Sequence, residues 1–185
     1  MYQWIKEKIG KIDKGVAAIE FAIILPFMLL TLIGLFDISE FIFANNKMNR
    51  TAQNISSIVT RGPVTKPQLD AMLQAAVLVA QPFNFTQSGN VIVTCVGVPT
   101  TPANAPPQVM WRDSYPGGTG GSKISASGLP GGLVLSVGQS AIFTEVFFTY
   151  TPLVPGYVLS SSQTEIYALA AAVPRQGNMM TLPAS

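Results

Sequence analysis

The chain has 185 residues, 48% of them hydrophobic and 11% charged, with a formal net charge of +2. It contains no histidine and a single cysteine, Cys95, which excludes His-based acid–base catalysis, His/Cys zinc centres and any disulfide within the chain. The length suits one membrane span and one small globular domain.

The first segment, residues 1–15, reads MYQWIKEKIGKIDKG. Lys6, Lys8, Lys11 and Lys14 face only Glu7 and Asp13, so this segment holds the chain's whole positive surplus and the remainder is neutral. By the positive-inside rule the N-terminus stays cytoplasmic and residues after about 37 are translocated. A neutral exported remainder offers no basic face for nucleic acid.

Residues 16–36, VAAIEFAIILPFMLLTLIGLF, form a run of 21 residues with one charge, Glu20. At 1.5 Å of rise per residue the run spans about 31 Å, enough to cross a hydrocarbon core as a transmembrane helix. A carboxylate inside such a helix costs on the order of 2.5–3.5 kcal/mol, less near an end, so Glu20 requires a reason. A secretory signal fits poorly, because the run is too long and Asp37-Ile38-Ser39-Glu40 is no small-residue cleavage site. A plain uncleaved anchor accounts for everything except Gly15 and Glu20.

A prepilin-type signal accounts for both. Gly15 supplies the small residue that a membrane-embedded peptidase needs before the scissile bond, with Lys14 at the interface. Cleavage there frees the amine of Val16. Among packed helices Glu20 of one subunit neutralises that amine on a neighbour, pairing both charges in a low-dielectric setting. Pro26 removes one backbone hydrogen bond, which membrane helices tolerate when neighbours re-satisfy the backbone.

Beyond the run, apolar residues recur at Ile38, Phe41, Ala44, Met48, Ala52, Ile55 and Val59, steps of three or four that mark one helical face. This amphipathic extension, residues 37–61, stops at Gly62-Pro63. The spacing predicts one helix from about 16 to 60, about 67 Å long. A second helix is expected over 66–80, with Pro67 in its first turn.

The pattern then becomes strand-like. Runs at 91–98, 109–115, 133–138, 140–150 and 165–173 are β-branched, aromatic or alternating and are bounded by Pro, Gly and Asn. The alanine-rich last run fits a helix as well. The reading is an α+β chain: a long N-terminal transmembrane helix extending into an exported domain, residues 62–185, with an antiparallel sheet of three to five strands. Residues 99–108 form a Pro-rich connection. Residues 116–132 form a Gly/Ser loop expected to be flexible and exposed, whose GGTGGSK fragment fails as a phosphate loop because Ile124 takes the Ser/Thr position.

Nothing points to catalysis, a metal or a cofactor. Asp70, Asp113, Glu145 and Glu165 are scattered, and Asp113 is expected to pair with Arg112 or Lys123 on a solvated face. Trp111, Phe143, Phe147, Phe148 and Tyr150 read as core or inter-subunit contacts. Cys95, within VIVTCVGV, reads as a small buried apolar residue.

Gly15, Ala17, Ala18, Glu20, Phe21, Ala22, Leu25, Pro26 and the acidic pair Asp37/Glu40 together resemble the opening of the TadE-like family, minor pilins or pseudopilins of the tight-adherence (Tad/Flp) branch of type IV pili. More weakly, FFTYTPLVPGYVL and IYALAAAVPRQG are similar to the family's Tyr-x-Pro-Leu strand and terminal strand. The resemblance implies a pilin-like domain and cleavage after Gly15 by a prepilin peptidase. In this reading Gly15, Val16, Glu20 and Phe21 form the processing site, and Ala17, Ala18 and Pro26 serve helix packing. It further implies work beside other pilin subunits and the assembly machinery, in a pilus used for adherence and biofilm formation. Phe21 stands where the major pilin usually has Tyr, which argues against a main filament subunit. An uncleaved signal-anchor protein with an exported binding domain is the alternative.

Overall fold

A computed structural model describes residues 2–102, 105–116, 121–154, 158 and 163–182, with side chains described from Val16 onward. One helix, α1, runs from Tyr2 to Val59 and contains Pro26 without interruption. Its start near residue 16, expected from the apolar run, is corrected to Tyr2. Residues 2–15 contain no proline, and Gly10 and Gly15 each cost only about 1 kcal/mol of helix propensity. The helix ends where Gly62-Pro63 was expected to stop it. The Thr60 hydroxyl donates back to the Ser56 carbonyl at 2.8 Å, and the Thr60 carbonyl accepts the Arg175 N–H at 3.0 Å.

The chain divides into two compact units, and α1 contributes to both. The first comprises Met1–Glu40 and Pro152–Ser162; the second comprises Phe41–Thr151 and Gln163–Ser185.

In the second unit, α2 (Lys66–Ala80) and the short α3 (Phe85–Ser88) accompany the end of α1. Four strands follow: β1 (Gly89–Gly97), β2 (Gln108–Tyr115), β3 (Ser140–Tyr150) and β4 (Thr164–Ala172). They form one antiparallel sheet in the order β2-β1-β3-β4. The alanine-rich last run is therefore a strand. Residues 133–138 are not, and that expectation is corrected: β1 and β3 already pair on both sides, and Val134 stands 87% exposed. Gly131 and Gly132 before the run and Gly138 at its end take positive φ, and Ser136 and Gln139 close a turn that contains Gly138.

The two faces of the sheet are covered differently. On one, Phe148 meets the rings of Phe83 and Phe85, and Tyr150 meets Phe41 of α1 edge-on at 5.6 Å. Ala44, Met48, Ala52, Ile55 and Val59 of α1 and Leu69, Leu73 and Ala76 of α2 are fully buried. Gly89 opens β1 where the Phe85 ring leaves no room: a Cβ there would lie 2.4 Å from it. On the opposite face Val96, Ala141 and Phe143 pack with Ile124, supported by Ala126, Leu129, Leu135 and Leu169. Ile124, Ala126 and Leu129 thus anchor the expected loop to the sheet, while Lys123, Ser125, Ser127 and the glycines of 121–132 stay exposed as expected; residues 117–120 lie outside the described residues. Burial on both faces explains why SAIFTEVFFTY reads as a nearly continuous apolar run.

Candidate functional site

In the first unit, residues 16–36 of α1 display apolar side chains to the surroundings. Val16, Ile19, Phe21, Ile23, Ile24, Phe27, Leu30 and Leu32 are all exposed, and none of the most apolar stretch is buried inside the protein. The helix is long and apolar enough to cross a membrane. A core helix of a globular protein would hide such a surface; this one does not.

The sequence-identified residues lie on this helix in register. Val16 and Glu20 are four residues apart, so they share one face about 6 Å apart along the axis. Glu20 is exposed, and none of the described cations pairs with it. Ala17, Ala18, Phe21 and Pro26 are also exposed, so every residue expected to serve packing presents surface rather than an internal contact. Gly15 lies within the helix.

The acidic pair at the end of the run separates. Glu40 is exposed, whereas Asp37 is 1% exposed and its carboxylate accepts two backbone N–H groups, Leu153 at 2.9 Å and Val154 at 3.2 Å. Gly34, one turn before it, is buried too. The inward face at this level therefore passes through Asp37 rather than through Ile38, which is 41% exposed and is corrected accordingly. The Pro-Leu of the Tyr-x-Pro-Leu resemblance lies beyond β3, in this turn, not in a strand. Sequence reasoning missed the Asp37 clasp because the partner amides are 116 and 117 residues away.

In the second unit every carboxylate that could have suggested chemistry is structurally engaged. Glu145, 0% exposed, accepts from the Ser122 hydroxyl, the Lys123 N–H at 2.7 Å and the Tyr167 hydroxyl at 3.1 Å. Burial and the adjacent Glu145 charge push the Tyr167 phenol above its usual range. Asp113 pairs with Lys66, which also holds Asp70 at 2.6 Å. Burial would lower the Lys66 ammonium, but these two carboxylates outweigh it and hold it above its ordinary value. The expected pairing of Asp113 with Arg112 or Lys123 is corrected: adjacent strand residues face opposite sides. Arg112 donates to Thr94 at 2.9 Å and to the Ile124 carbonyl at 2.8 Å. Lys123 lies 4.2 Å from the Tyr167 ring centroid and 3.6 Å from Glu165.

Cys95 is fully buried, its thiol pushed up to about 12 by burial, and its Sγ donates to the Met179 carbonyl at 3.2 Å. Trp111 donates to the same carbonyl. Among the described residues no group of three or more Cys, Asp or Glu is placed to hold a metal ion.

Among the described residues one exposed apolar helix is long enough to span a membrane, and with the small α+β unit it points to a single-pass, membrane-anchored protein. Residues 15–55 match the family model described as TadE-like protein. No curated protein and no solved structure matches it.

Proposed function

We propose that this chain is a minor pilin or pseudopilin that takes part in assembling a Tad pilus. The observation that carries the proposal is Glu20: the one charge in the exposed apolar run 16–36, at the fifth position after Gly15, inside the segment matched to the TadE-like family. In this reading residues 1–15 are a cytoplasmic leader and residues 16–36 span the inner membrane. A prepilin peptidase cuts after Gly15, and Val16 and Phe21 complete its recognition segment. The new Val16 amine then pairs with Glu20 of a neighbouring subunit, which sets axial register between helices that otherwise offer only apolar surface. Ala17 and Ala18 allow close approach of those helices, and Pro26 leaves a carbonyl that a neighbour can satisfy.

The competing reading, an uncleaved signal anchor with an exported binding domain, draws on one observation: α1 continues through Gly15 to Tyr2 without a break. Identification of the mature N-terminus separates the two. Cleavage gives Val16; an anchor keeps residues 1–15.

A further inference from the structure

The two residues whose amides Asp37 holds are apolar and exposed. Leu153 keeps 66% of its surface open and Val154 keeps 37%. The surrounding sequence, residues 151–164, contains no charged side chain. Their level on the helix is fixed by the clasp. Asp37 directly follows the apolar run, so the hydrogen bonds at 2.9 and 3.2 Å bring this turn to the point where that run ends. Phe36 and Ile38, which flank Asp37 in the helix, are exposed, so the turn is held beside exposed apolar side chains at the end of the run.

A turn entering a membrane interface meets one obstacle, its own backbone. Peptide N–H groups removed from water without partners are costly, so an isolated Leu-Val turn gains little by inserting. Asp37 removes that obstacle for two successive N–H groups at once. The carboxylate in turn finds donors for both oxygens and needs no water at that depth.

We propose that the Pro152–Val154 turn is a second membrane contact: the interfacial region of the bilayer covers Leu153 and Val154, and Asp37 is the positioning residue that holds them there. The inference rests on the reading of residues 16–36 as membrane-spanning. A second copy of this chain is a less suitable cover, because the clasp holds the turn at the level where the membrane-spanning run ends.

The test uses the full chain in vesicles of phosphatidylcholine and phosphatidylglycerol containing a phospholipid with a nitroxide near its headgroup. A fluorescent thiol label is placed at Leu153→Cys and, in a separate protein, at Leu30→Cys in the middle of the apolar run. Cys95 is buried and holds its proton, so labelling goes to the introduced cysteine. The expected result is nitroxide quenching and protection from iodide at both positions, with Asp37→Ala abolishing both at 153 and leaving 30 unchanged. Quenching at 30 without quenching at 153 overturns the inference while leaving the span intact. Protection from iodide at 153 without lipid quenching indicates a protein cover and overturns it as well. Unchanged quenching at 153 in Asp37→Ala overturns the role given to Asp37. Absence of quenching at both positions overturns the spanning reading and this inference with it.

Discussion

Replacing Glu145 by Ala should unfasten the cover from the sheet. In the native protein its carboxylate serves three donors, the Ser122 hydroxyl, the Lys123 amide and the Tyr167 hydroxyl, from a fully buried position. Hydrogen bonds to a charged group are worth about 1.5–3 kcal/mol each, but partial exposure lets water replace the carboxylate for some of these donors. Loss of a buried, satisfied charge together with its side-chain packing places the cost of Glu145→Ala at about 3–5 kcal/mol. Glu145→Gln keeps the shape and one acceptor oxygen but turns an amide N–H₂ toward a donor, which should cost about 1–2 kcal/mol. Urea unfolding of the full chain in detergent, followed by the fluorescence of Trp111 in a Trp4→Phe background, gives both values. Phenolate absorbance gives a second readout: with the Glu145 charge gone, Tyr167 should ionise at lower pH than in the wild type. The raised phenol makes its contribution to stability below the ordinary tyrosine range and loses it as pH climbs through the native value, so Glu145→Gln should flatten that alkaline decline. A cost below about 1 kcal/mol for Glu145→Ala would refute the reasoning, since a clasp that matters cannot be removed so cheaply.

Three further outcomes are expected. Cys95 should resist alkylation at pH 8 in the folded protein and react promptly in denaturant; its raised native value also means that stability falls as pH rises from about 9 toward 12. Lys66→Met should cost about 1 kcal/mol or less in chemical denaturation, because Lys66 and Asp70 are both nearly half exposed and only Asp113 is well covered. The Lys66 contribution is complete below its unfolded value and fades as pH rises through the native one, whereas the lowered Asp70 contributes above its ordinary value and fades in acid. Glu20→Gln should reduce recovery with pilus subunits after crosslinking, measured per mature chain present in the membrane; unchanged recovery contradicts the register role.

The sheet and α2 were legible because their signals are local. SAIFTEVFFTY covers β3 residue for residue, and Pro67 opens α2 with the Gln68 side chain accepting the Thr65 N–H at 2.9 Å. The run LVLSVG is as apolar as β3 but pairs with none of the four strands, because pairing partners are not encoded in a local pattern. Of the candidate site, Gly15, Val16, Glu20, Phe21 and Pro26 were legible because their meaning lies along one helix. Asp37 was legible only as an acidic residue ending the run. Its function as an acceptor depends on a turn that the chain reaches more than a hundred residues later. Glu145 was obscured for the same reason: its donors come from a glycine-rich loop and a neighbouring strand. Asp113 was misassigned to Arg112 although strand alternation sends neighbours to opposite faces, toward Lys66 of α2 for one and toward Ile124 for the other.

The central claim is that the Lys-rich first segment is removed so that a new amine can meet Glu20. The most direct measurement is the N-terminal residue of the chain purified from membranes of cells with an active prepilin peptidase, compared with cells lacking it. The account predicts Val16 in the first and a retained leader in the second, with Gly15→Leu blocking the change. A retained leader in both would contradict it.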